Sequence, residues 1–241
     1  MASHPGAVRS FQEVRAACVS SDGVLLDRAG TPIHELRIDF QGRSLEWTPL
    51  AAMSPSLLRA AVASEDKRFY RHGGVDVRAL AWGAALSLVR GRRGASTITM
   101  QTTALTDAHG RPETLRRTVA QKWRQMRLAW AMERTWTKDQ ILEAYLNLVT
   151  FRGELRGVAA ASRGLFQKEP SGLDMTESLI LASLIRSPNA VMETVTRRVS
   201  GLAAAMKEPV GPETLSAAVK AALGKPYSMR RFVSLAPHAA Q

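Results

Sequence analysis

The sequence predicts a mainly α-helical protein with a short β-rich lead-in. Three observations carry this expectation. Apolar residues recur at helical spacing from residue 54 onward. Those stretches open on recognisable capping residues. Strand-like alternation is confined to residues 18 to 48, between the turn signals SDG, RAG and QG.

Composition bounds the problem. The 241 residues suit one large domain, or one domain with a small appendage. Lys and Arg number 33 against 21 Asp and Glu, a formal charge of +12, which favours anionic partners such as nucleic acid, anionic lipid or phosphorylated substrates. Cys18 is the only cysteine, which excludes an intrachain disulfide and a cysteine-based metal site. The opening MASHPGAVRSFQEVRAACV lacks the apolar core of a signal peptide. No run approaches the ~20 apolar residues of a spanning helix.

Taken in order, residues 1–17 read as a flexible tail. Residues 18–50 form the lead-in, with VLL, IHELRI and SLEW as its strands. At residue 54 the pattern turns helical, with Ser54 as N-cap and Pro55 at the first helical position. Leu58, Ala61 and Val62 mark an apolar face, which Glu65 and then Phe69 continue. A carboxylate on such a stripe is partly desolvated, and desolvation makes it a better base near neutral pH. The stretch 79–89, ALAWGAALSLV, reads as a buried or interfacial helix. GASTITMQ, 94–101, is rich in small and hydroxyl residues and leads into the next helix. A long helix follows over about 113–134, with an apolar stripe of Val119, Trp123, Met126 and Trp130. Its opposite, basic face carries Arg116, Arg117, Lys122, Arg124 and Arg127. Thr137 and Gln140 match a capping box for a helix that buries Ile141, Leu142, Tyr145 and Val149. Asp174 and Glu177 open ESLILASLI, apolar nearly all round and therefore central. One more amphipathic helix is expected over 212–222.

The common nucleotide and hydrolase motifs are missing: no Gly-rich phosphate loop after a strand, no HExxH and no GxSxG. By itself SEDKRFYRHGGVD, 64–76, reads as a charged helix end, with His72 structural and Gly73-Gly74 as the stop. Three features in combination argue for more: Glu65 on the apolar side, a Gly-Ala-Ser-Thr segment about thirty residues on, and a cationic helix after that. A carboxylate base, a small polar loop and a cation clamp suit group transfer with a phosphate leaving group.

The order and spelling of these segments resemble the peptidoglycan glycosyltransferase domain of class A penicillin-binding proteins, glycosyltransferase family 51. The family motif EDxxFxxHxG is matched by Glu65, Asp66, Phe69, His72 and Gly74. GxSTIxxQ is matched by Gly94, Ser96, Thr97, Ile98 and Gln101, and the basic third motif by Arg117, Thr118 and Lys122. ILExYLN is spelled by Ile141 to Asn147, and the fifth region by GVAAASRGLFQK and LDMTESLILA. The match covers about residues 20–225, and the spelling of TMQ, of Lys122, Arg124 and Gln125, and of the tail SLAPHAAQ is nearest the penicillin-binding protein 1C branch.

The resemblance implies a lysozyme-like helical domain with a small membrane-associated jaw, which would hold residues 79–89 with Arg90, Arg92 and Arg93. It would occupy residues 51–225, with 226–241 as a linker-like tail leading towards an absent transpeptidase domain. It also implies polymerisation of lipid II by inverting transfer, with undecaprenyl pyrophosphate leaving, at the periplasmic face of the cytoplasmic membrane. The expected partners are lipid II, the growing glycan strand, the membrane surface and a separate transpeptidase or cell-wall complex, without nucleic acid. Glu65 would be the general base, and Asp66 would orient it or help hold a divalent cation (Mg or Mn). Ser96, Thr97 and Gln101 would position the donor, Arg117 and Lys122 would clamp pyrophosphate, and Phe69, His72, Gln125 and Asn147 would shape the substrate site.

Four positions depart from the family spelling: Gln125 replaces a second Glu, Ala104 a basic residue, Leu165 to Lys168 the usual Tyr-Phe-Gly-Lys, and Phe151-Arg152 the usual Phe-Gly. They motivate an alternative, a catalytically weakened lipid II-binding or scaffold module. The charge alone motivates a nucleic-acid binder, for which no recognisable module is present.

Overall fold

The computed structural model describes residues 8–80, 96–107 and 119–229. The chain divides into two compact units, Met1–Ala17 with Val62–Leu148, and Cys18–Ala61 with Val149–Gln241.

The first unit opens on α1, Phe11–Ala16, closed by a reciprocal capping box between Ser10 and Glu13. This corrects the expectation of a flexible tail up to residue 17. Phe11 and Val14 are buried, Phe11 stands edge-on to Trp136 at 5.3 Å, and the Trp136 indole donates to the Arg9 carbonyl. A buried aromatic edge and a satisfied indole fix a segment too short to hold helical form alone.

Helix α2, Pro55–Glu65, carries the chain from the second unit into the first. Its buried positions are Leu57, Ala60 and Ala61, so the inward face is turned by about one residue from the expected stripe. Glu65 lies at its edge, half-buried. A 3-10 turn, Phe69–Arg71, follows. Then come α3, Ile98–Thr106, α4, Val119–Glu133, and α5, Lys138–Leu148. Helix α3 packs against both α4 and α5. Val75, Met100, Met126 and Ala129 form a core cluster there.

The expected capping box of α5 is present: Gln140 N–H donates to Thr137 Oγ1, and Thr137 N–H to Gln140 Oε1. The stripe expected on α4 is corrected. Met126 is buried, together with Gln125, Ala129 and Met132, whereas Trp123 is 56% and Trp130 38% exposed. Both tryptophans stand one heptad apart on a face they share with Arg127, and the small Ala129 faces inward, where neighbouring backbone comes close. The expected jaw segment 79–89 lies outside the described residues apart from Ala79 and Leu80, as do Gly94, Arg117 and Thr118.

The second unit contains the strands expected around VLL and IHELRI, whereas the one expected over SLEW is only Arg43–Ser44. β1, Asp22–Leu26, pairs antiparallel with β2, Pro32–Arg37. β3, Arg43–Ser44, runs parallel to β5, Leu155–Arg156, which pairs antiparallel with β4, Thr150–Arg152. Helices α6, Val158–Phe166, α7, Met175–Ile185, α8, Met192–Met206, and α9, Pro212–Leu223, complete it. Asp174 and Glu177 cap α7 reciprocally, and every residue from Ser178 to Ile185 is buried, as its all-apolar spelling implies. Helix α8 was not expected. Its inward face, Val195, Val199, Leu202 and Ala203, is regular, but Arg197, Arg198 and Gly201 interrupt the pattern in sequence.

Candidate active site

Three hydrogen bonds tie the segment 64–76 to the N-terminal half of α3. The Asp66 carboxylate accepts the Ile98 N–H at 3.1 Å. Thr97 Oγ1 donates to the Gly74 carbonyl at 2.6 Å, and also caps α3 by accepting the Met100 N–H. Gln101 Nε2 donates to Glu65 Oε2 at 3.1 Å. An anionic carboxylate at the first free N–H of a helix satisfies an orphan donor and meets the positive end of the helix dipole. The Glu-Asp dipeptide is therefore divided in function. Asp66 faces inward and fastens two segments, while Glu65 stays half-buried, with Oε2 held by Gln101 and Oε1 accepting a longer bond from Ser64.

His72 Nε2 lies 2.9 Å from Asp66 Oδ2, and its side chain is only 8% exposed. Asp76 is bound by the Arg68 guanidinium, with Nε at 2.8 Å, and by the Ala79 N–H. Burial works to raise the Asp76 pKa, but the Ala79 N–H and the Arg68 charge overcome it and hold the carboxyl below its ordinary value. Asp66, His72 and Asp76 offer ligand atoms within 4.8 Å of one another, which is the one grouping with metal-ligand potential among the described residues. In this cluster both carboxylates already have partners, while His72 Nδ1 is buried without one. Arg68 already supplies the positive charge that Asp76 requires, and Asp66 already accepts from Ile98 and His72.

The two segments meet α4 through a glycine. Gly74 has φ +84°, and a Cβ there would lie 2.8 Å from the Ala129 carbonyl oxygen. Only glycine permits both the backbone conformation and this approach. Beside it, Lys122 Nζ donates to Ser96 Oγ at 2.9 Å, which brings the basic helix to the residue preceding the α3 cap.

The residues expected at the site thus fall into three groups. Glu65, Ser96, Gln101 and Lys122 are half-buried. Glu65 joins Gln101, and Lys122 joins Ser96, at two points along the start of one helix. His72 is enclosed against Asp66. Asp66, Phe69, Thr97, Gln125 and Asn147 are buried. Phe69 is fully enclosed, with Lys138 Nζ 4.4 Å from its ring centroid. Asn147 donates back to the Glu143 carbonyl. Arg117 lies outside the described residues.

Gln125 has a specific structural partner: its amide donates to the Met100 carbonyl at 2.5 Å. A carboxylate cannot make that donation, so the departure from a second glutamate belongs to the α3–α4 contact. Gln125→Glu is expected to cost roughly 1–3 kcal/mol through a lost donor and a buried charge. A thermal melt should show the drop, and the variant should gain no activity. An unchanged melting temperature would contradict this role.

One contributor was not expected. Tyr145, fully buried on α5, donates its hydroxyl to Gln101 Oε1 at 3.0 Å. Burial first, then the negative charges of Glu65 and Asp66, hold its phenol well above the ordinary tyrosine value. In sequence it reads as one more core aromatic. The available signal was its polar end, which needs a partner when buried.

Comparison with known proteins follows the same lines. The family profile described as transglycosylase matches residues 29–207. The chain is 36% identical over 162 residues to the biosynthetic peptidoglycan transglycosylase of Rhodospirillum centenum, covering 66% of this chain and 68% of that protein. It is 34% identical over 168 residues to penicillin-binding protein 1C of Escherichia coli, covering 69% of this chain and 21% of the relative. It is 32% identical over 187 residues to penicillin-binding protein 2D of Bacillus subtilis, covering 76% and 26%. The matched region thus spans about a fifth to a quarter of the two penicillin-binding proteins, and the similar identities single out no branch.

Proposed function

The chain belongs to the transglycosylase family, and from that premise we propose that it is a peptidoglycan glycosyltransferase that polymerises lipid II. The observation that carries this reading is Glu65. It is a half-buried carboxylate with Oε2 fixed by Gln101, on the segment tied by Asp66 and Thr97 to the same helix start that Lys122 reaches through Ser96.

In the proposed reaction Glu65 takes the proton from the acceptor's GlcNAc 4-hydroxyl as that oxygen attacks the anomeric carbon of the donor strand. The anomeric C–O bond to undecaprenyl pyrophosphate breaks on the opposite face, so the configuration inverts. The leaving oxygen keeps the bond pair. Lys122 meets the growing charge on the pyrophosphate, together with Arg117 as the family motif implies, and Ser96 orients the ammonium. Asp66, through Ile98 and His72, keeps the base-bearing turn in place. We assign no step to a divalent cation, because the carboxylates that could hold one are already engaged by Arg68, His72 and backbone N–H groups.

The substrate is lipid-linked, so the reaction belongs at a membrane surface, and we place it on the periplasmic face. No helix among the described residues is long and apolar enough to cross a membrane. The excess of basic residues suits anionic headgroups and pyrophosphate alike.

The test is direct. The purified protein is incubated with fluorescently labelled lipid II in detergent, and products are separated by size. Glycan polymer is the expected result. Saturable lipid II binding without any polymer would instead assign the chain to the binding-module alternative.

A further inference from the structure

We propose that Tyr145 is a positioning residue for glycosyl transfer, acting through Gln101 to aim the Glu65 carboxylate. The proposal rests on the reading of Glu65 as the base.

The three side chains come from three elements and meet in one hydrogen-bonded cluster, in which the Tyr145 hydroxyl also interacts with Glu65 directly. Tyr145 Oη on α5 donates to Gln101 Oε1 on α3 at 3.0 Å. Gln101 Nε2 donates to Glu65 Oε2 at the end of α2 at 3.1 Å. The direction is dictated by chemistry. An ionised carboxylate can only accept, so the Gln101 end facing Glu65 must be the NH₂. A carboxamide carries its acceptor on the other side, and that side needs a donor.

Tyr145 is a permanent donor there, because burial and the neighbouring carboxylates keep the phenol protonated. Without the hydroxyl, the amide keeps only its bond to Glu65 and loses the second anchor that fixes its plane and direction. In the reversed orientation a carbonyl oxygen faces a carboxylate, which is repulsive, and the carboxylate turns away. Holding Oε2 leaves Oε1 to receive the proton. The local contact to Oε1 is the longer one, from Ser64 Oγ at 3.3 Å.

Tyr145 is itself fully buried, so it touches no substrate. This gives it a distinct signature. A residue that acts only by orienting the base lowers kcat and leaves KM alone, because a misaimed group costs rate rather than ground-state binding. Gln101 then supports the base rather than the donor sugar.

The experiment is a double-mutant cycle on the full chain, with lipid II turnover followed at varied substrate. Tyr145→Phe is expected to lower kcat by about 10- to 100-fold with KM within twofold. Gln101→Met should do the same, and the double variant should be no slower than Gln101→Met alone, since one effect passes through the other. Additive losses would assign the effect to the direct Tyr145–Glu65 interaction and overturn the relay through Gln101, as would a Tyr145→Phe enzyme with wild-type kcat. Should Tyr145→Phe not fold by circular dichroism, Gln101→Met decides alone: a raised KM with kcat intact makes Gln101 a substrate contact and removes the relay. Glu65→Gln is run alongside. If it retains wild-type turnover, the base assignment fails and the relay fails with it. If it is inactive while Tyr145→Phe turns over normally, the relay alone fails.

Discussion

Glu65→Gln is expected to slow glycan polymerisation by about 10²- to 10⁴-fold, the usual worth of a positioned general base. The change is nearly isosteric. The new amide oxygen can still accept from Gln101, so the bond that fixes the side chain at 3.1 Å survives. What disappears is the ability to take a proton. Lipid II binding and the thermal melt should therefore stay close to wild type while the rate collapses. Glu65→Asp separates chemistry from placement. It keeps the charge but withdraws the carboxylate by one methylene, and a displacement on the order of 1 Å can itself cost about 10² in rate. A Glu65→Gln enzyme that polymerises at wild-type speed would show that the acceptor proton goes elsewhere.

Gly74→Ala is expected to destabilise the first unit strongly. The new Cβ would lie 2.8 Å from the oxygen and 2.9 Å from the carbon of the Ala129 carbonyl, both backbone atoms of α4. Neither can move aside as a flexible side chain would. The left-handed φ of +84° adds its own cost. Overpacking of about 1–3 kcal/mol, with roughly 1–2 kcal/mol for the conformation, removes a large share of a typical domain's 5–15 kcal/mol. Thermal melting should fall by about 5 °C or more. Gly73→Ala is the control, since nothing lies within 4 Å of a Cβ at that position. Equal melting temperatures for the two variants would refute the close-approach argument.

These cases show what the sequence made legible. The reciprocal cap at Thr137 with Gln140 and the helix start at Asp174 and Glu177 were readable, because such signals are local and complete in four residues. The all-apolar spelling of α7 announced its burial. The facing of α4 was not readable. Its tryptophans satisfy a helical stripe as well as Met126 and Ala129 do, and only the neighbours decide which face turns inward. Helix α8 escaped because two arginines and a glycine hide four regularly spaced apolar positions.

At the site, motif order brought Glu65, Ser96, Gln101 and Lys122 into consideration, and all four are half-buried near the start of α3. Their division of labour was not legible. Asp66 and Thr97 are buried fasteners, Gln125 serves a backbone carbonyl, and Tyr145 is the neutral end of a hydrogen-bond chain. Those roles depend on contacts between residues 23 to 44 positions apart, which no local pattern encodes.

The bond from the Ile98 amide to the Asp66 carboxylate gives the molecule a spectroscopic gauge. A backbone amide proton donated to a buried carboxylate resonates according to the state of that partner. In a nitrogen–proton correlation spectrum the Ile98 peak therefore follows the fastening of the turn that carries Glu65, without a probe on any side chain of the proposed site. Its deuterium exchange requires the first turn of α3 and the Asp66 segment to part, so one peak times the opening of the whole junction.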